Sequence, residues 1–181
     1  LEGDGFFQIR TESGELQYTR DGSFEISPVA NGNMLCTSDG NPVLDAYGNQ
    51  IILPSNRVAT DLVVNQDGTL AFPDGTGNPA VITDANGRPV KFGIYQFNNP
   101  AGLSKEGSNN YSVTVASGAA VAENGNAAVK QTKTHQYYTE ASNVDVANEM
   151  VNLIVAQRAY EMNSKAIQAS DEMMQQANAL R

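Results

Sequence analysis

The sequence predicts a mainly β protein, a β-rich domain of short strands and hairpins, followed by one long C-terminal α-helix. Three observations predict it. Up to about residue 115, Asp-Gly and Asn-Gly pairs punctuate short runs of β-branched and aromatic residues. From Ser142 onward there is neither Pro nor Gly, and apolar residues recur at helical spacing. Hydrophobic residues make up 40% and charged residues 17% of the 181, the balance of a chain that packs a core rather than a disordered one. That length suffices for one or two domains.

The β-rich outer domain spans 1–115. Its turn signals are Asp4-Gly5, Asp21-Gly22, Asn31-Gly32, Asp39-Gly40, Asp67-Gly68, Asp74-Gly75 and Asn86-Gly87, pairs that accept positive φ and mark hairpins or tight turns. Between them lie short alternating runs: Phe7 and Ile9, Leu16 and Tyr18, Phe24 and Ile26. Leu62, Val63 and Val64 form a continuous apolar run. Val90, Phe92 and Ile94, with Tyr95 and Phe97 offset, mark another strand, and Tyr111, Val113 and Val115 a further one. Such spacing indicates a meander, sandwich or barrel-like domain. Residues 116–141 read as a loop and extended connector: 116–128 is rich in Ala, Gly, Ser and Asn and predicts an exposed linker, and 130–138 predicts one further extended strand.

The helix occupies 142–181. Ser142 or Asn143 is the expected N-cap, with Asp145 in the first turn, where the helix dipole favours a carboxylate. A helix of roughly 37 residues from Asn143 would extend roughly 55 Å. Val146, Met150, Leu153, Gln157, Tyr160, Ser164, Ile167, Asp171 and Met174 follow alternating four- and three-residue steps, and Val144, Val151, Ile154 and Val155 widen that face in its first half. A heptad seam interrupted by polar residues specifies register against a particular partner. No second helix is predicted to receive it, so the partner is expected on another segment or another molecule, and the chain is expected to form a dimer or higher oligomer. The self-association residues are Val144, Met150, Leu153, Ile154, Gln157, Arg158, Tyr160, Asn163, Ile167 and Met174, with Gln157, Arg158 and Asn163 setting register.

A net charge of −9 argues against nucleic acid and against docking on anionic lipid. The longest apolar run falls far below the roughly 18 residues a membrane span needs. No signal peptide is visible, and the chain opens on Leu1 rather than Met, so its true N-terminus is expected to lie outside this sequence. The single cysteine, Cys36, permits no intrachain disulfide; without a cationic neighbour in sequence it reads as a small buried hydrophobe. His135, the lone histidine, has no Ser, Cys or carboxylate at a catalytic spacing and reads as a surface or strand residue. Asp84 and Asn86, ahead of Gly87, supply two of the ligands a calcium loop needs and lack its closing Glu; turn chemistry accounts for them. No Gly-rich phosphate cradle precedes a helix. The residues therefore point to no catalysis, no cofactor and no metal.

Four stretches carry a resemblance. Leu1-Glu2-Gly3-Asp4-Gly5-Phe6-Phe7-Gln8-Ile9 resembles the G-x-G-F-F-x-V signature that opens the outer β domain of the flagellar rod and hook family. Tyr18-Thr19-Arg20-Asp21-Gly22-Ser23-Phe24 is similar to its Y-T-R-x-G-x-F motif, and 35–42 to its L-V-T-x-D-G-x-P block. Ser142-Asn143-Val144-Asp145, Glu149-Met150-Val151 and Ala156-Gln157-Arg158-Ala159-Tyr160-Glu161-Met162-Asn163-Ser164-Lys165 resemble the C-terminal helix of the distal-rod branch. Tyr137 and Thr139 depart from the family, which commonly has Gly and Leu there; a proximal rod or hook subunit stays open as an alternative.

The resemblance implies a non-enzymatic structural subunit, exported to the flagellar basal body, that self-assembles into a helical axial tube and transmits torque from motor to hook. Its implied partners are copies of itself, other rod subunits, the hook protein and the surrounding ring proteins, with no nucleic acid and no membrane insertion. The family also implies a preceding N-terminal helix that pairs with the C-terminal one. The competing class is a carbohydrate-binding or adhesin-like β domain using Phe6, Phe7, Tyr18 and Phe24 as aromatic platforms, although alternation assigns most of these to the core.

Overall fold

Alternating large side chains build β1 (Phe6–Arg10), and a tight loop at 11–15 returns the chain antiparallel as β2 (Leu16–Thr19), with Gln8 opposite Tyr18. The computed structural model describes residues 1–57, 59–74 and 79–179. β1 is central in a six-stranded sheet of order β10-β11-β2-β1-β9-β12, where β9 is Ile94–Gln96, β10 Ser104–Gly107, β11 Asn110–Ser112 and β12 Val121–Ala122. Its alternation separates two apolar clusters instead of core from solvent. Phe7 and Ile9 enter the larger cluster with Leu35, Val43, Ile51, Leu70 and Phe92. Phe6 joins Tyr18, Phe97 and Leu103 on the other face.

Two three-stranded sheets complete the β-rich unit: β3 (Glu25–Val29), β4 (Gly32–Cys36) and β5 (Ile52–Leu53); then β6 (Val63–Val64), β7 (Leu70–Pro73) and β8 (Pro79–Val81). Five loops share one hydrogen-bond pattern. At 11–15, 37–41, 45–49, 65–69 and 84–88, the first residue's N–H donates to the fifth residue's carbonyl and the fourth residue's N–H donates back to the first. The fourth residue is always Gly, at φ of 86°, 82°, 83°, 82° and 75°. This is a three-residue hairpin loop closed by a left-handed glycine, which pays no Cβ penalty there. Asp39-Gly40, Asp67-Gly68 and Asn86-Gly87 are these turns. Gly14 and Gly48 belong to the same set without an Asp or Asn immediately before them. Asp4-Gly5 and Asp21-Gly22 are not among them, and Asp74-Gly75 lies partly outside the described residues.

Several core segments make only single bridges with their neighbours. Their backbone groups instead close rings of three. Leu35 N–H donates to Ile51, Ile51 to Val43 and Val43 to Leu35, at 2.9–3.1 Å. Leu70, Val90 and Ile82 repeat that order at 2.8–3.0 Å, and Gln8, Gly93 and Leu44 form a third ring at 2.9 Å. Each ring joins three segments, so these buried backbone groups are satisfied outside the strand ladders. The first two rings mark an internal repeat. Val43-Leu44-Asp45-Ala46-Tyr47-Gly48 corresponds to Ile82-Thr83-Asp84-Ala85-Asn86-Gly87, and Arg88 from the second loop lies over the Tyr47 ring of the first, 3.9 Å from its centroid.

Three expectations fail here. The strand expected through Val113 and Val115 ends at Ser112. Thr114 Oγ1 and Ser117 Oγ take the backbone N–H groups that a ladder would have used, and local side-chain acceptors of this kind compete with sheet. The stretch 116–128 is not an exposed linker: Ser117 and Glu123 are buried and β12 pairs with β9. Glu123 accepts bonds from Gln96 Nε2, Thr132 Oγ1 and Thr132 N–H at 2.6–2.7 Å, which compensates for burying its carboxylate. Beyond it, 130–138 is not a regular strand. Lys133 pairs singly with Glu2, Thr134 bonds the 65–69 loop, and Gln136 bonds Leu62 and Val64, so the segment sews the unit together residue by residue.

The chain divides into two compact units, Leu1–Tyr138 and Thr139–Arg181. The second is built on α1, Val146–Ala179, a helix of 34 residues and about 51 Å. Asp145 is its N-cap rather than a first-turn residue: Oδ1 accepts Ala147 N–H at 3.0 Å and its carbonyl accepts Glu149 N–H at 3.0 Å. Ser142, an expected cap, instead accepts Val144 N–H in a local turn four residues ahead of the helix.

Candidate self-association surface

On α1 each residue advances about 100° around the axis, so the positions of the seam can be placed directly. Val146, Met150, Leu153, Gln157, Tyr160, Ser164, Ile167, Asp171 and Met174 share one stripe that drifts slowly around the helix, as a seven-residue repeat does on a 3.6-residue turn. Ile154 borders it. Its alternate positions are polar (Gln157, Ser164, Asp171) and apolar (Leu153, Tyr160, Ile167, Met174). Arg158 and Asn163 lie off the stripe, each roughly 100° from its neighbour in it and on opposite sides. Val144 precedes the helix.

Val151 and Val155 do not widen the seam as expected. They lie on the far side of the helix, in line with Met162 and Met173, and begin a second, thinner apolar stripe. The four-residue step from Val151 to Val155 carries the signal for it, and Ile154 beside Val155 in sequence lies roughly 100° away around the axis. No residue of α1 is buried; Met150 is 61% and Tyr160 77% exposed. Covering a side chain of this size contributes about 1.5–3 kcal/mol.

The other residues singled out do other things. His135 Nε2 lies 2.7 Å from Glu2 Oε2 at the surface; that hydrogen bond, then the Lys133 charge, holds the Glu2 carboxyl below its ordinary range. Cys36 is buried, its thiol pushed up by burial and then by Glu25, and Sγ donates to the Glu25 carbonyl at 3.6 Å. Asp84 accepts from Arg88 N–H and Asn86 N–H and pairs with the Arg88 guanidinium at 2.7 Å, so its oxygens serve the turn. Among the described residues no group of three or more His, Cys, Asp or Glu is placed to hold a metal, and no helix is long and apolar enough to cross a membrane.

Phe6, Phe7 and Tyr18 are buried and Phe24 is half-buried against Phe7 and Phe92, which removes them as a ligand platform. The first two sequence motifs form one structural piece. Arg20 Nη1 donates to the Gly3 carbonyl at 2.9 Å and the Gly5 carbonyl at 3.3 Å, and its guanidinium lies over Phe6.

Residues 1–72 match the family model described as "Flagellar hook protein FlgE/F/G D1 domain", and residues 135–180 match "Flagellar basal body rod FlgEFG protein C-terminal". The chain is 40% identical over its whole length to flagellar basal-body rod protein FlgG of Borreliella burgdorferi, covering 63% of that protein. It is 37% identical to FlgG of Caulobacter vibrioides, with 100% of this chain and 63% of that protein covered. It is also 37% identical to the flagellar hook-basal body complex protein FlhP of Bacillus subtilis, with 93% of this chain and 59% of that protein covered. The chain thus spans less than two thirds of the length of these relatives.

Proposed function

The chain belongs to the flagellar basal-body rod and hook family, and from that membership we propose that it is a structural subunit of the rod, in its distal section. It assembles with copies of itself into a helical axial tube that carries torque from the motor to the hook. Its role is mechanical rather than catalytic. It is exported to the basal body, where other rod subunits, the hook protein and the surrounding rings are its neighbours. The observation that carries this reading is α1: a 34-residue helix lying within the second family match and holding its whole apolar stripe in water. A helix draws most of its stability from packing an apolar face, so this stripe is a surface for assembly. Met150, Leu153, Ile154, Tyr160, Ile167 and Met174 supply the apolar contact, and Gln157 fixes register. Val144, Arg158 and Asn163 flank the seam.

A subunit that repeats one head-to-tail contact builds an open helical filament instead of a closed ring. Torque then passes through many identical contacts. Deleting the gene for this chain should abolish motility and leave basal bodies without a distal rod, and the wild-type gene should restore both. Leu153→Asp in the complementing gene should fail to restore them. Motile cells with intact rods after the deletion would overturn the proposal.

A further inference from the structure

In a protein of net charge −9, the stretch from Phe92 to Ala122 carries only Lys105 and Glu106. Part of it forms a braced tip on the β-rich unit. The Pro100–Gly102 turn and the 113–118 turn touch closely enough that a Cβ on Gly102 would stand 2.7 Å from Ala116 C and Ser117 N. Thr114 Oγ1 donates to the Gly102 carbonyl at 2.5 Å, Asn99 Nδ2 to the Ala116 carbonyl at 3.0 Å, and Ser117 Oγ accepts Thr114 N–H at 3.0 Å. Buried Ser117 anchors the turn from below. At its summit Val115 is fully exposed (103%), beside exposed Val113, Ala101 and Ala116. Turn summits ordinarily carry Gly, Asn, Asp or Ser. Here a rigid turn holds a branched hydrophobe in water.

We propose that this uncharged tip is a contact between the β-rich units of neighbouring copies of this chain, with Val115 seated on the adjacent copy. The inference rests on the rod-subunit reading and deepens it. Charge selects the occupant. Copies that each carry −9 over these 181 residues repel one another, and an uncharged patch is where they can meet without stacking like charges. A basic partner would choose an acidic face. Depletion of charge marks the core of an interface, and a turn already braced loses little freedom when covered.

The test uses the full-length gene product in its own cells. Val115→Glu places a carboxylate at the contact and should abolish motility, while Val81→Glu, at an exposed position on β8, should leave motility intact. Secretion and protease resistance equal to wild type for both variants would show that the β-rich unit still folds. Independently, a photoreactive benzoyl-phenylalanine at position 115 should yield, in isolated basal bodies, an adduct with the mass of two copies. Motile Val115→Glu cells, or an adduct with any other protein, would overturn the inference. Either result leaves the rod reading standing so long as gene deletion abolishes motility, and motility surviving deletion would remove the reading itself.

Discussion

Gly3 and Gly5 carry the backbone so close to the returning connector that no side chain fits. A Cβ on Gly5 would stand 2.5 Å from Ile94 Cγ2, 2.6 Å from Thr132 Oγ1 and 2.8 Å from Glu123 Oε1. Gly5 has no left-handed φ, so the demand is steric alone. Gly5→Ala should therefore destabilise the β-rich unit by about 1–3 kcal/mol, read as a lower urea midpoint with unchanged slope. Tyr137 presents the converse case. It holds φ at 64° and is 88% exposed, at the position where the resemblance implies Gly. Left-handed backbone costs a residue with a Cβ about 1–2 kcal/mol, and glycine returns part of that as unfolded-state entropy. Tyr137→Gly should raise stability by about 0.5–1 kcal/mol in the same titration. The departure noticed in sequence is thus a strained residue, and only the backbone angle shows why glycine suits the site.

At the level of elements, the existence and type of the long segments were legible because their signals are periodic. α1 has the predicted character, and β1 and β2 stand where Phe7, Ile9 and Tyr18 placed them. What escaped was set by particular hydrogen bonds, some within a single loop and some between distant segments. The five matching loops depend on glycine at the fourth position and on acceptors such as Asp45 Oδ1 and Asp84 Oδ1, which take the fifth residue's N–H at 2.8 Å. An Asp-Gly or Asn-Gly pair is only one way of writing that pattern. The Asp-Ala-x-Gly repeat at 45–48 and 84–87 was readable in principle, but the three-membered backbone rings it supports were not. The helix start moved for a similar reason. Asp145 reaches its second N–H and so outcompetes Ser142 as the cap. Asp145→Ala should cost the helix about 1 kcal/mol, seen as lost ellipticity at 222 nm concentrated in the first turns, whereas Ser142→Ala should leave helicity unchanged.

For the whole molecule, a net charge of −9 opposes the approach of one copy to another. Salt separates that repulsion from the stability of the fold, and pH does not. Glu2 is held low by its His135 hydrogen bond, Asp21 and Asp84 chiefly by backbone N–H groups of Ser23 and Arg88. Burial works against Asp67, but the Thr69 hydroxyl and N–H outweigh it and its carboxyl is also lowered. Each group binds a proton more weakly in the folded chain than in the unfolded one. Their contribution is complete above the ordinary carboxylate range, near pH 4, and is lost as pH falls through the depressed folded values. Urea midpoints should hold steady from neutrality to about pH 5 and drop steeply below about pH 4. Acid therefore weakens the repulsion between copies and the fold together, and cannot isolate the former. Salt can. Raising ionic strength from about 0.01 M to 0.15 M shortens the screening length from about 30 Å to 8 Å. If apolar seams and an uncharged tip make the contacts while net charge −9 opposes them, sedimentation should show association strengthening over that range. Assembly built on opposed charges would weaken instead, so the sign of the salt dependence alone decides between them.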